Sequence, residues 1–116
     1  MSNDLSPAGE RIAVDAIYRK LVEVGMDLLK LYHFDTLKFN FTKTGDPLGT
    51  LELSVRQIVT GTICVTVGYY EARITPKLGT GAWMKMQNSG EIFSELEKVL
   101  RNANYESVDH KTYTRK

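Results

Sequence analysis

Leu37-Lys38-Phe39-Asn40-Phe41-Thr42 alternates apolar and polar residues one for one. A β-strand turns successive side chains to opposite faces, so this period of two sets Leu37, Phe39 and Phe41 on a core face and Lys38, Asn40 and Thr42 on the other. The same pattern recurs twice. Leu51, Leu53 and Val55 alternate with Glu52, Ser54 and Arg56. Ile63, Val65, Val67 and Tyr69 alternate with Cys64, Thr66, Gly68 and Tyr70. Thr44-Gly45-Asp46-Pro47 and Thr60-Gly61 supply the turn chemistry between these stretches. A parallel crossover needs a dozen or more residues, so the short connections predict an antiparallel meander.

Ahead of these strands, residues 7–32 read as one long helix. Ser6 suits the N-cap, and Pro7 fits the first helical position, where a missing N–H costs nothing. Val14, Ile17, Tyr18, Leu21, Met26, Leu28, Leu29 and Tyr32 recur mostly at three-to-four spacing and make a wide apolar arc. Gly25 interrupts it at a cost of about 1 kcal/mol relative to alanine, which fits either a kink or a close approach to another element. Beyond the third strand, residues 75–81 read as a loop and residues 82–87 as a fourth strand. Asn88 and Glu91 form a capping box for a second helix with the stripe Ile92, Phe93, Leu96, Val99, Leu100 and Ala103. The expected fold is α+β, in the order α-β-β-β-β-α. One antiparallel meander sheet carries both helices on one face and leaves the other partly exposed. Residues 1–104 make a single domain, and residues 105–116 a polar, mobile tail.

Composition removes several classes of function. The chain has 116 residues, 42% of them hydrophobic and 25% charged, which is ordinary for one globular unit rather than a disordered chain. A net charge of +1 announces no strong field toward nucleic acid or membrane. A single cysteine, Cys64, rules out an internal disulfide. His33 and His110 are the only histidines, and nothing has zinc-ligand spacing, so no metal or other cofactor is expected. The polar start and the absence of a long apolar run point to neither a secretory leader nor a membrane span, and a reducing cytoplasmic setting is expected.

No catalytic set assembles from the residues. Cys64 lies within a strand among Val and Thr neighbours, where a free thiol is usually inert. Ser54, His33 and Asp35 lack the strained turn of a nucleophile elbow. Gly79-Thr80-Gly81 lacks the Lys-Ser/Thr of a phosphate loop. The expectation is a protein that is not an enzyme.

The outward sheet face is the region with binding chemistry. It carries Lys38, Asn40, Thr42, Ser54, Arg56, Thr66 and Tyr70, which Trp83 and Lys85 would join. Residues 35–86 hold six basic and four acidic residues, and residues 105–116 three basic and two acidic, so the positive charge belongs to the sheet and the tail. Bases of a single strand stack on aromatic rings while Lys and Arg follow the phosphates.

The order of elements over residues 50–104 carries a resemblance. Leu51-Glu52-Leu53-Ser54-Val55-Arg56, a turn, Ile63-Cys64-Val65-Thr66-Val67-Gly68-Tyr69-Tyr70, a Gly/Lys loop, a short strand and the helix starting Glu91-Ile92-Phe93-Ser94-Glu95-Leu96 follow one another. This half of the chain resembles the single-stranded-DNA-binding domain of the transcriptional coactivator positive cofactor four and its bacterial and phage relatives. The resemblance implies a curved sheet followed by a dimerising helix, and binding positions at Arg56, Tyr70, Arg73, Lys77, Trp83 and Lys85. With Lys38 from the face itself, these seven are the expected nucleic-acid-binding residues.

The leading expectation is therefore a homodimeric, non-catalytic protein that binds single-stranded DNA or RNA. The alternative is a small inhibitor or adaptor that docks on a larger protein through a helix face or a sheet edge.

Overall fold

The computed structural model describes residues 7–32, 37–44, 46–54, 61–78, 89–109 and 111–116. The elements are α1 (Pro7–Tyr32), β1 (Leu37–Lys43), β2 (Asp46–Ser54), β3 (Gly61–Val67), β4 (Glu71–Leu78), α2 (Ser89–Asn102), β5 (Tyr105–Ser107) and β6 (Thr112–Arg115). The chain is thus of the α+β class, with a helix first and strands after it. Six strands form one sheet in the order β2-β1-β3-β4-β6-β5.

The alternation in β1 and β3 does what it predicts. Leu37, Phe39 and Phe41 are buried, as are Ile63, Val65 and Val67. Lys38, Asn40, Thr42, Cys64 and Thr66 are half-buried on the opposite face. The rings of Phe39 and Phe41 stack with centroids 5.7 Å apart. Ile17, Leu21, Leu28 and Leu29 of α1 and Ile92, Leu96, Val99 and Leu100 of α2 join these residues in one core. Leu21 is fully buried there, so truncating it to alanine would cost about 2–5 kcal/mol.

Gly25 marks a close approach. An added Cβ would stand 2.6 Å from Phe41 Cζ and 3.7 Å from Leu53 Cδ1. The missing side chain lets α1 settle against β1 and β2. Nearer the start of the helix, Lys43 Nζ bonds Asp15 Oδ1 at 2.9 Å and stands 5.3 Å from the Tyr18 ring centroid. The end of β1 is thereby tied to the first half of α1.

The sheet departs from a meander in its neighbours. β1 and β2 pair antiparallel, with Lys38 opposite Ser54, but β3 pairs parallel with β1, with Leu37 opposite Gly61. The short connections correctly imply that β3 runs opposite to β2. They do not decide on which side of the β1–β2 hairpin β3 lies. The chain leaves β2 beside the start of β1 and enters β3 on the far side of that start.

The C-terminal half is corrected more heavily. β3 ends at Val67, and Tyr69 and Tyr70 sit in the turn that follows. β4 occupies residues 71–78, overlapping the expected loop. Pro76 stands in that strand opposite Ile63. The expected polar tail instead supplies β5 and β6, anchored by the buried Tyr105 and Tyr113. β6 pairs antiparallel with β4 through Ala72 and Tyr113, which removes an exposed edge beside the core. Asn104 ends α2 in the left-handed conformation, at φ 69. The expected strand 82–87, the N-caps Ser6 and Asn88, and residues 79–81 lie outside the described residues.

Candidate functional site

Among the described residues both helices pack on one face of the sheet, and the other face is lined by cross-strand rows set by register. Ser54, Lys38, Thr62 and Lys77 form the first row. Glu52, Asn40, Cys64 and Thr75 form the second. Thr42, Thr66, Arg73 and Thr112 form the third. Glu71, Thr114 and Glu106 follow toward the β5 edge. Hydroxyl groups dominate, with cations at intervals. The β-branched threonines suit the pleat, and their hydroxyls keep the face hydrated.

Of the seven expected binding residues, the structure gathers Lys38, Arg73 and Lys77 on this face. Lys38 and Lys77 share a row across three strands, which sets their backbones about 10 Å apart. Arg73 lies four residues before Lys77 on β4, about 13 Å away at strand rise. Tyr70 sits at the rim, in the β3–β4 turn, with 63% of its surface exposed. Arg56, Trp83 and Lys85 lie outside the described residues.

An open cleft of ≈ 550 Å³ is lined by Thr44, Thr66, Gly68, Tyr69, Tyr70, Glu71 and Arg73. It joins the rim to the third row and brings Tyr70 and Arg73 together. The Tyr70 ring meets the Tyr69 ring edge-on at 4.8 Å. Its hydroxyl donates to Glu10 Oε1 of α1 at 2.9 Å. The ring is therefore exposed yet held in orientation.

Two of the cations already have carboxylate partners. Lys38 Nζ lies 2.7 Å from Glu52 Oε1, and Arg73 Nε lies 2.9 Å from Glu71 Oε1. Lys77 is exposed and makes no ion pair with a described residue. The alternation itself puts Glu52 on the face of Ser54 and Arg56. Glu71 belongs with Arg73 once residues 71–78 are read as a strand, since i and i+2 share a face. The contribution of the C-terminal residues to this end of the sheet had no such signal.

No three described His, Cys, Asp or Glu residues cluster as a metal site. Cys64 carries a free, half-buried thiol between Asn40 and Thr75, and neither neighbour is a base. His33, Asp35 and His110 lie outside the described residues. No helix among the described residues is long and apolar enough to cross a membrane. No family model matches the chain, and neither does any curated protein or solved structure.

Proposed function

We propose that this chain is a non-catalytic binding protein that takes single-stranded nucleic acid on the open face of its sheet. The observation that carries the reading is the placement of Lys38, Arg73 and Lys77 on one face opposite the helices, with the exposed ring of Tyr70 at its rim. Cations on a hydroxyl-rich surface can follow phosphates, and threonine hydroxyls add neutral hydrogen bonds to the same oxygens. The Tyr70 ring offers a stacking surface for a base. Neither catalysis nor a cofactor enters this reading.

A second reading has its own support. The carboxylates of Glu52, Glu71 and Glu106 balance the three cations of the same face. A neutral, mixed-charge face suits a protein partner better than a polyanion. In that case the chain is an inhibitor or adaptor on a larger protein.

Titration of a fluorescein-labelled oligothymidylate, followed by anisotropy at two salt concentrations, separates the two. Engagement of all three cations gives a log–log salt slope of about −2, at about −0.7 per phosphate for a single strand. Absence of binding at low salt removes the first reading and leaves the second, which co-purification with a host protein tests.

A homodimer and a reducing cytoplasmic setting belong to the same proposal. Ile12 and Met26 are exposed apolar residues of α1, about 40° apart around the helix at about 100° per residue. A second copy would cover that surface, and light scattering reads the mass directly. The free thiol of Cys64 fits a reducing compartment.

A further inference from the structure

Three consecutive carbonyls of the β3–β4 turn are held by two residues from the end of the chain. The Tyr105 hydroxyl donates to the oxygens of Gly68 and, at 3.1 Å, Tyr69, sharing its one proton between them. Arg115 Nε donates to the Tyr69 oxygen at 2.8 Å. The Arg115 backbone N–H donates to the Tyr70 oxygen at 2.9 Å. The Arg115 guanidinium also lies 4.0 Å from the Tyr69 ring centroid and 5.0 Å from that of Tyr105. Tyr69 then presses edge-on against Tyr70. The path from Arg115 to the exposed ring is continuous: guanidinium, Tyr69 ring, Tyr70 ring.

We infer that Tyr105 and Arg115 are positioning residues for ligand binding at Tyr70, because they fix the 68–70 turn that presents its ring to the cleft. This rests on the proposed binding of single strands on the open face. Neither residue need touch the ligand. Tyr105 is buried at 2% exposure and lies on the helix side of the sheet. Arg115 shares that side, opposite Tyr105 in the β5–β6 pair. The Tyr69 carbonyl takes a donor that is charged and that packs against the rings of Tyr69 and Tyr105. A guanidinium meets both requirements, whereas an ammonium is a compact point charge that cannot stack. An unheld turn would leave the Tyr70 ring tethered only at its tip, through the hydroxyl bond to Glu10, and a ligand would then bear the cost of ordering the rest.

The test uses the full chain with the variants R115K, Y105F, Y70A and the double variant Y70A/R115K. R115K keeps the charge and loses the Nε–H donor to Tyr69 O and the guanidinium packed on the Tyr69 ring. Y105F loses only the hydroxyl, and serves if R115K does not fold. Affinity for the labelled oligothymidylate is read beside the thermal midpoint and the amide exchange rate of Gly68, whose N–H bonds Glu71 O at 2.9 Å. The expected result is a cooperative fold in both single variants, faster Gly68 exchange, and binding about tenfold weaker. Y70A/R115K should bind no worse than Y70A, because the arginine acts through that ring. Losses that add, or an R115K protein with wild-type affinity and exchange, would overturn the inference. If the wild-type chain binds no oligothymidylate, the proposed function fails by itself. What then stands without a ligand is that Tyr105 and Arg115 fix the 68–70 turn, and exchange at Gly68 decides it: faster in R115K or Y105F upholds that, and unchanged overturns it.

Discussion

A methyl group on Gly25 would stand 2.6 Å from Cζ of Phe41, far inside van der Waals contact. Phe41 cannot swing away, because its ring is fully buried and stacked on Phe39. Two effects oppose each other in G25A. Alanine gains up to about 1 kcal/mol of helix propensity, whereas overpacking a tight core costs about 1–3 kcal/mol. The collision wins, and urea unfolding should find G25A less stable by about 1–2 kcal/mol. In G25A/F41L the loss should be smaller than the sum of the single losses, since the shorter side chain makes room. Strict additivity would remove the contact as the cause.

Tyr113 is buried, and its hydroxyl donates to Glu97 Oε2 at 2.6 Å, while Arg101 Nη2 holds Glu97 Oε1 at 2.8 Å. Replacing Tyr113 by Phe should cost about 1.5 kcal/mol, the low end for a hydrogen bond to a charged group, because Glu97 keeps its arginine. Burial drives the Tyr113 hydroxyl well above the ordinary phenol value, and the adjacent Glu97 carboxylate adds to this. The unfolded chain then releases this proton first, near pH 10. Stability is therefore fully present below about pH 10 and falls as pH rises beyond it. Urea midpoints from pH 8 to pH 11 should drop less steeply in Y113F than in the wild type.

Asn104 closes α2 at φ 69. Its N–H bonds Arg101 O at 3.1 Å, and its own oxygen accepts the Lys116 N–H at 3.0 Å. The left-handed conformation costs a residue with Cβ roughly 1–2 kcal/mol, and asparagine and glycine tolerate it best. N104G should match the wild-type thermal midpoint closely, whereas N104A should lose about 1 kcal/mol. An equal loss in both would shift the cause from backbone conformation to the asparagine side chain.

Charge on the open face should act on binding with opposite signs. K77A removes one exposed cation of β4 and should reduce the salt slope for oligothymidylate by about 0.7. E52Q and E71Q release Lys38 and Arg73 from their partners. Each should tighten binding about two- to fivefold, the size of an exposed ion pair. No gain from either glutamine would favour a protein partner over a strand of phosphates.

Much of the fold was legible because its signal is local. The three-to-four spacing from Val14 to Tyr32 and the stripe from Ile92 to Ala103 each report a helix whose one face meets a core. The alternation from Leu37 to Thr42 and from Ile63 to Val67 reports strands with one buried side. These patterns also located Lys38 on the open face. β4 was obscured by Thr75-Pro76-Lys77, which has the composition of a loop. Its strand character comes from Ala72 and Ile74, buried between β3 and β6. β5 and β6 were obscured because Tyr105 and Tyr113 stand alone among polar residues, and a single buried ring has no period.

The class, both helices, and the inward residues of β1 and β3 therefore follow from side-chain periodicity along a few turns or pleats. Long-range packing set β3 beside β1 and not β2, made Gly25 a contact and not a kink, and brought Arg115 to Tyr69. Those choices depend on which distant surfaces meet. Burial of Phe41 under α1 and of Tyr113 beside Ala72 sets that competition, and no local window of sequence contains both partners.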